Sequence, residues 1–441
     1  MQVLKFGGTS VGSTENMISV RHIIDTPTPK IVVLSAMSGT TNALVQIANA
    51  AKASNLTEAS ELRSILQSRY DDVVEQLITD KRLKPLVIGY VDEIFAEIER
   101  LSSEDFSDQK AEAIVAQGEL LSTFIFCHFL EQEGLKAVLL PALEFMRIDK
   151  EHEPDQFYIA QNLRRVIEQT DDSVVYITQG FICRNYYGQI SNLQRGGSDY
   201  TATIIGAAIQ ASEVQIWTDI DGFHNNDPRE VEKTKAIGAL SYDEAAELAY
   251  FGAKILHPQT VQPLREDRIP LRLKNTMEPD APGTVITHRS EGEGIKAIAA
   301  KDGITALKIK SSKMLLAHGF LSKVFAIFQR YETSIDMITT SEIAVSLTID
   351  DTTHLDAIQA ELLQFAQVVV DKNQTIICLV GNEVNRHADT HKLFQVLQDV
   401  QVRMISYGGS DHNISLLVAT EDKRSALELL QRYVFSLPVA N

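Results

Sequence analysis

The sequence predicts an α/β domain with a largely parallel sheet, followed by two copies of a small α+β module. Three observations carry that prediction. Up to about residue 290, short apolar strands alternate with helical patterns. A stretch at 277–294, MEPDAPGTVITHRSEGEG, then interrupts with two Pro and three Gly. Beyond it, one pattern occurs twice with a period of roughly 70 residues, too long for a solenoid repeat.

Taken in order, residues 3–6 read as the first strand and KIVVL at 30–34 as the second. AVLL at 137–140, VVYIT at 174–178 and VQIW at 214–217 continue the series. Helical patterns at 41–51, around 58–101 and at 111–130 fill the intervals. Each strand ends in small or polar residues, where open α/β sheets bind ligands. In the later region, FLSKVFAIFQRY at 320–331 is an amphipathic helix leading into SIDMITTS, a turn and the strand IAVSLTI. HKLFQVLQDV at 391–400 leads likewise into VRMISYGGSD and ISLLVAT. Both copies close on a helix, at 354–365 and 423–433.

The 441 residues suffice for two or three domains of ~100–200 residues each. With 41 Lys+Arg against 59 Asp+Glu, the formal charge is −18. That balance repels polyanions and anionic membrane surfaces, so neither nucleic acid nor a membrane is an expected partner. An anionic substrate must find a local basic pocket. Cys127, Cys183 and Cys378, odd in number and widely spaced, make neither a disulfide framework nor a zinc site. The opening MQVLKF runs straight into glycines, unlike a targeting segment, and no run approaches ~18 uninterrupted apolar residues. The expectation is a soluble, cytoplasmic protein.

KFGGTSVG at 5–12 follows the first strand at once. Its glycines let backbone N–H groups approach phosphate oxygens, and Lys5 supplies positive charge. Gly7 and Gly12 have P-loop spacing, but Ser13 stands where that motif needs lysine, so the turn is either a different phosphate site or purely structural. SAMSGTTN at 35–42 repeats the design before a helix, with Thr41 or Asn42 as an anion contact or simply the N-cap. Glu119 enters an apolar helical pattern, where burial needs a cationic partner; the alternative is a surface position.

RGGSDYT at 195–201 is the most informative segment. Arg195 offers a bidentate fork for a carboxylate or phosphate, and Asp199 is either a cap or part of a site. WTDIDG at 217–222, NDPR at 226–229 and FGAKILHP at 251–258 follow, the last placing Lys254 before a proline-terminated helix. Thr218 and Asp219 with Arg229 and Lys254 suit a nucleotide's base, ribose and phosphates. The catalytic loops of protein kinases, a Cys-x-x-Cys pair and the dinucleotide glycine fingerprint are all missing. His387 and His391 lack the Glu of a zinc protease and read as a solvated helix entry.

Together and in this order, KFGGTSVG, GEL at 118–120, RGGSDYTA, WTDIDGF, DPR and FGAKILHP resemble the aspartate kinases of the amino acid kinase family. The resemblance spans essentially the whole chain. It implies an amino acid kinase domain at 1–290 and a first ACT domain at 303–370. A second ACT domain is implied from 295–302 with 371–441, residues 295–300 lending it a strand. It further implies ATP-dependent phosphorylation of the L-aspartate β-carboxylate, the opening step toward lysine, threonine and methionine. The segment GFLSKVFAIFQRYETSIDMITTSE looks most like the lysine-inhibited, monofunctional members.

By that likeness Lys5 neutralises the transferring phosphoryl group and Asp199 orients it. Phe6, Gly7, Gly8 and Ser10 belong to the ATP site with Thr218, Asp219, His224, Arg229, Lys254 and Ile255. Arg195 grips the substrate carboxylate; Glu119 and Thr41 recognise its ammonium and position it, beside Ser35 and Ser198. Mg²⁺ is expected with ATP, held mainly by phosphates and waters, with no protein ligand named. Lysine is expected between first ACT modules of a homo-oligomer, at least a dimer. The matching residues are Met314, Gly319, Phe320, Leu321, Ser334, Ile335, Asp336, Thr340, Ser341 and Glu342, with Asp336 and Glu342 facing its ammonium. Two departures stand out: His224 replaces a frequent Tyr. Ala317 replaces a frequent Ser, a lost hydroxyl worth ~1 kcal/mol of lysine binding. Acetylglutamate, glutamate or carbamate as substrate, or a silent amino acid sensor, are the alternatives; the paired C-terminal modules, RGGSD and the retained Lys5, Arg195 and Asp199 argue against them.

Overall fold

The computed structural model describes residues 1–103, 105–169, 175–193, 196–252, 255–289, 292–311, 318–386 and 392–436. The chain divides into two compact units. The first comprises Met1–Gly222, Gly238–Tyr242 and Leu256–Arg289; the second comprises Phe223–Ile237, Asp243–Ile255 and Ser290–Asn441.

The first unit begins β1 (Gln2–Phe6), α1 (Thr14–Ile24), β2 (Lys30–Leu34), α2 (Thr40–Lys52), α3 (Leu56–Leu77), α4 (Leu83–Ser102) and α5 (Asp108–Gln132). It continues β3 (Ala137–Leu140), α6 (Ala142–Phe145), α7 (Gln156–Glu168), β4 (Val175–Gln179), β5 (Ile182–Arg184), β6 (Ile190–Asn192), α8 (Gly197–Ala208), β7 (Glu213–Thr218) and β8 (Ala239–Ser241). After α9 (Tyr242–Tyr250) come α10 (Pro258–Asp267), β9 (Leu271–Asn275) and β10 (Thr284–Thr287). Side-chain caps open the helices where the sequence supplies them: Ser13, Asn55, Ser107 and Asp155 each accept a first-turn N–H.

The main sheet runs β3-β4-β2-β1-β7-β9-β10-β8, parallel except for the β9–β10 pair. Every residue of β2 is buried, as a central parallel strand requires. Lys30 tolerates this because its ammonium donates to the Ile24 and Thr26 carbonyls at 2.8 and 2.7 Å. Register aligns Phe6 with Leu34 and Trp217, and Leu34 with Gln179. The turns after β1, β2, β4 and β7 therefore emerge side by side at carboxyl ends, flanking the point where strand order reverses about β1.

The helix α5 is long and apolar enough to cross a membrane, yet 72% of its most apolar window is buried inside the protein. The helical stretch around 58–101 is divided into two helices, α3 and α4. The proline of FGAKILHP begins α10 instead of ending a helix: Pro258 is its first residue and His257 its N-cap. Proline lacks an N–H, and the first helical turn needs none.

The second unit holds β11 (Gly294–Lys310), α11 (Phe320–Arg330), β12 (Ile338–Thr340), β13 (Ala344–Ile349), α12 (Leu355–Leu363) and β14 (Gln367–Asn382). It ends with α13 (Leu393–Val396), β15 (Met404–Ser406), β16 (Asn413–Ala419) and α14 (Lys423–Ser436). Its antiparallel sheet runs β12-β13-β11-β14-β16-β15. The strands β11 and β14 are long because each serves two modules. Residues 294–301 of β11 pair with 376–382 of β14, which pairs in turn with β16. Residues 305–310 pair with β13 and with 367–371. Gly303, at φ 78°, sits at the register break between the halves. Each half has its own core, around Leu307, Phe328 and Leu347 or around Ile377, Leu416 and Leu427.

Most of α9 belongs to this second unit. Glu244, with no exposed side-chain surface, lies 3.0 Å from Lys296 of β11. Glu247 accepts from Asn413 and from Ser410. Sequence periodicity gave no sign of that attachment.

Candidate active site

Lys5 leaves β1 one residue before the glycine turn. Its Nζ lies 2.6 Å from Asp199 Oδ1, with side-chain exposures of 12% and 19%. Asp199 is in the first turn of α8, whose N-cap is Gly196 at φ 72°. It is thus no cap; its carboxylate faces a largely buried ammonium. Gly8 packs so closely that a Cβ there would sit 2.9 Å from the Ala36 carbonyl. Ser35 N–H donates to the Phe6 carbonyl and Ser38 N–H to that of Gly8, at 3.2 and 3.1 Å, lacing the first two turns together.

Glu119 projects from α5 and is 1% exposed. Its Oε1 accepts from the Ser198 hydroxyl at 2.8 Å, and Ser35 Oγ donates to Ser198 Oγ at 2.9 Å. The Gly180 and Phe181 backbone N–H groups also reach its carboxylate. Its Oε2 is buried without a hydrogen-bond partner among the described residues. Burial pushes its pKa up to about 8, against the opposing pull of Ser198, the two N–H groups and Lys5. A buried carboxyl with one unused oxygen is a receptor for a cationic donor. Gly180 makes the arrangement possible, because a Cβ there would overlap Ser198. It was missed in the sequence, although a strand-end glycine after β4 was a visible signal.

Thr41 lies half-buried in the first turn of α2. Neither it nor Asn42 is the cap; Gly39 is, at φ 79°. Phe6 departs from its expected role in contact with nucleotide: its ring is fully buried and stacks on Trp217 at 5.6 Å, leaving only its backbone to the turn. Ser10 Oγ lies 2.7 Å from Thr276 Oγ1, and Thr218 donates to Asp219 at 3.1 Å. Lys274, not anticipated, stands over the Trp217 ring at 5.2 Å and donates to the Ala281 carbonyl. Burial holds its ammonium below the usual lysine range, and Arg272 adds to that.

The remaining expected nucleotide residues fall in the second unit. His224 Nδ1 lies 3.1 Å from Thr234 Oγ1. Arg229 is not a free cation: it grips Asp227, two residues earlier, through Nε and Nη2 at 3.0 and 2.7 Å. Ile255 belongs to the same unit, while Arg195 and Lys254 lie outside the described residues. Among the described residues, no three His, Cys, Asp or Glu side chains are grouped to hold a metal.

Of the expected effector residues, Met314 lies outside the described residues, as do Ala317, His387 and His391. Gly319 caps α11 at φ 84°, and Leu321 is 37% exposed. Phe320 packs into the module core against Phe365 and so presents little side chain to a ligand. Ser334 and Ile335 precede Asp336 in the link to β12; Thr340 ends that strand, and Ser341 and Glu342 are exposed in the following turn. Asp336 already has a cation. Lys301 of β11 lies 2.9 Å from its Oδ1, Tyr250 donates to the same oxygen at 2.8 Å, and Oδ2 is buried without a hydrogen-bond partner among the described residues. Lys301 also reaches Asp350 at 2.8 Å.

The model of the amino acid kinase family matches residues 1–275, and that of the ACT domain matches residues 377–433. The chain is 34% identical to the lysine-sensitive aspartokinase 3 of Escherichia coli, over 98% of this chain and 99% of that protein. A crystal structure of E. coli aspartokinase III in complex with aspartate and ADP, in its R-state, is similar at a TM-score of 0.82 and 33% identity, covering 99% of this chain and 100% of that one. The same enzyme in complex with lysine and aspartate, in its T-state, matches at a TM-score of 0.79 and 32% identity, covering 99% of both chains.

Proposed function

The chain belongs to the amino acid kinase family and, within it, to the aspartokinases, and from that premise we propose how its residues carry the reaction. It transfers the γ-phosphoryl group of ATP to the β-carboxylate of L-aspartate, giving 4-phospho-L-aspartate, under regulation by L-lysine. One anion must attack another, so catalysis is mainly positioning and charge neutralisation.

The observation that carries the residue assignment is the Lys5–Asp199 pair, 2.6 Å apart at the carboxyl end of β1. Lys5 meets the charge that builds on the phosphoryl oxygens, and Asp199 holds the ammonium in place. Gly7, Gly8 and Ser10 set the phosphate turn. Glu119 takes the substrate's α-ammonium on its unused oxygen, while Ser198 and Ser35 hold that carboxylate in orientation. Thr41 and Arg195 position the substrate, the latter assigned from the sequence motif. Thr218 and Asp219 are assigned to the nucleotide, and His224, Arg229, Lys254 and Ile255 are assigned to it from the sequence motifs alone. Mg²⁺ accompanies ATP, and Asp219, a single carboxylate at a strand end, fits an ion held mainly by phosphate oxygens and water. When bound, it neutralises phosphate charge.

The catalytic part is residues 1–290; the ACT modules are 303–370 and 295–302 with 371–441. We assign them lysine binding and self-association. Exposed Leu321 and Phe325 on α11, and exposed Ile338 on the edge strand β12 with Ile343 after it, support a homodimer through the first module. Lysine binds near Asp336, whose buried Oδ2 has no hydrogen-bond partner among the described residues. The enzyme is assigned to the cytoplasm. The test is aspartate-dependent ADP release. Turnover is expected with L-aspartate and not with glutamate or acetylglutamate; the reverse preference overturns the substrate assignment.

A further inference from the structure

We propose that Arg69 is a positioning residue for phosphoryl transfer, clamping the turns after β1 and β2 to each other from the helix α3. Its Nη1 donates to the Ser38 carbonyl at 2.7 Å, and its Nη2 to the Gly12 carbonyl at 3.5 Å. The two acceptors sit in different turns, one before α1 and one before α2. A trans peptide carries its C=O and the next N–H on opposite edges of one plane. Holding the Gly12 and Ser38 carbonyls therefore fixes the Ser13 and Gly39 N–H groups, both directed away from Arg69.

The neighbouring residue makes the same reach. Tyr70, 1% exposed, places its hydroxyl 3.0 Å from Thr40 Oγ1. Burial pushes its pKa up to about 12, so the hydroxyl is neutral across the working range. Two consecutive residues of α3 thus hold residues 38 and 40 of one turn. Carbonyl partners leave the guanidinium charge uncancelled, and among the described residues Arg69 pairs with no carboxylate. Its fixed positive charge stands behind turns that serve anions.

The inference rests on the phosphate and aspartate roles proposed for those turns. It is tested on the full chain with R69A, R69K and Y70F, measuring kcat, both KM values and the thermal midpoint. Misplacement of a reacting group by ~1 Å costs about 100-fold, so R69A is expected to lower kcat at least about tenfold with both KM values within about threefold. Its bonds are exposed or only part-buried, so its thermal midpoint should stay close to wild type. R69K, which keeps the charge and one donor, should recover much of the loss; Y70F should raise the KM for aspartate. R69A with kcat within about twofold of wild type overturns the proposal, as does a loss that tracks unfolding and that R69K does not recover. Absence of aspartate-dependent ADP release in the wild type would instead sink the functional reading.

Discussion

At the residue scale, the chemistry turns on how few groups are left unsatisfied. Glu119 has one oxygen bonded by Ser198 and the other without a hydrogen-bond partner among the described residues, inside a protein core that disfavours its charge. Its raised pKa, about 8, has a sign that can be followed. Binding the substrate ammonium favours the ionised carboxylate, so below pH ~8 part of the binding free energy goes into removing its proton. The KM for aspartate should therefore fall as pH rises toward 8, by up to about tenfold per unit, and level off above it. Glu119→Gln should raise that KM and remove the slope; an unchanged pH profile in the variant would refute the assignment. The same shift bears on stability. The neutral carboxyl favours the fold fully below its ordinary pKa, and this contribution fades as pH climbs through about 8. Glu119 itself was legible from an acid within an apolar helix. Gly180 showed only as a strand-end glycine; that it makes room for Ser198 was not legible, since only folding brings the end of β4 against α8.

At the scale of elements, the strand β11 links more than its length suggests. It pairs along both modules, and its midpoint residue Lys301 neutralises the fully buried Asp336 side chain. Burial alone would lower the Lys301 pKa, yet Asp350 and Asp336 hold it above the usual range. Removing one partner of such a pair leaves an uncompensated charge, typically costing about 3–5 kcal/mol. Lys301→Met should accordingly lower the unfolding midpoint, and adding Asp336→Asn should restore part of the loss. If the single variant unfolds like wild type, the pair is not structural. The twofold repeat was readable because helix and strand periodicities recur. The pairing of Lys301 with Asp336 was not, because 35 residues of chain separate them and only the sheet brings them together. For the same reason α9 read as part of the α/β domain, whereas Glu244, Glu247 and Tyr250 fasten it to the antiparallel sheet.

At the scale of the whole molecule, a chain of charge −18 binds two anions by arranging a few cations with care. The sequence suggested four cations at strand ends. In the structure, Lys5 is held by Asp199 and Arg229 by Asp227, while Lys274 and Arg69 add positive charge that no motif announced. Glycine turns after strands were legible because their chemistry is local. Which cation is paired, and with what, depends on tertiary packing and was not. None of the three thiols is bridged, and burial pushes Cys127 up to about 11 and Cys183 up to about 12, which keeps both in the thiol form at neutral pH. Catalysis in this reading depends most on Lys5, braced by Asp199, neutralising the phosphoryl group in flight. Its most direct test is kcat for aspartate-dependent ADP release by Lys5→Ala, with folding checked by thermal midpoint. A loss of at least about a thousandfold is expected in a folded protein; a folded variant turning over at the wild-type rate would remove Lys5 from that role.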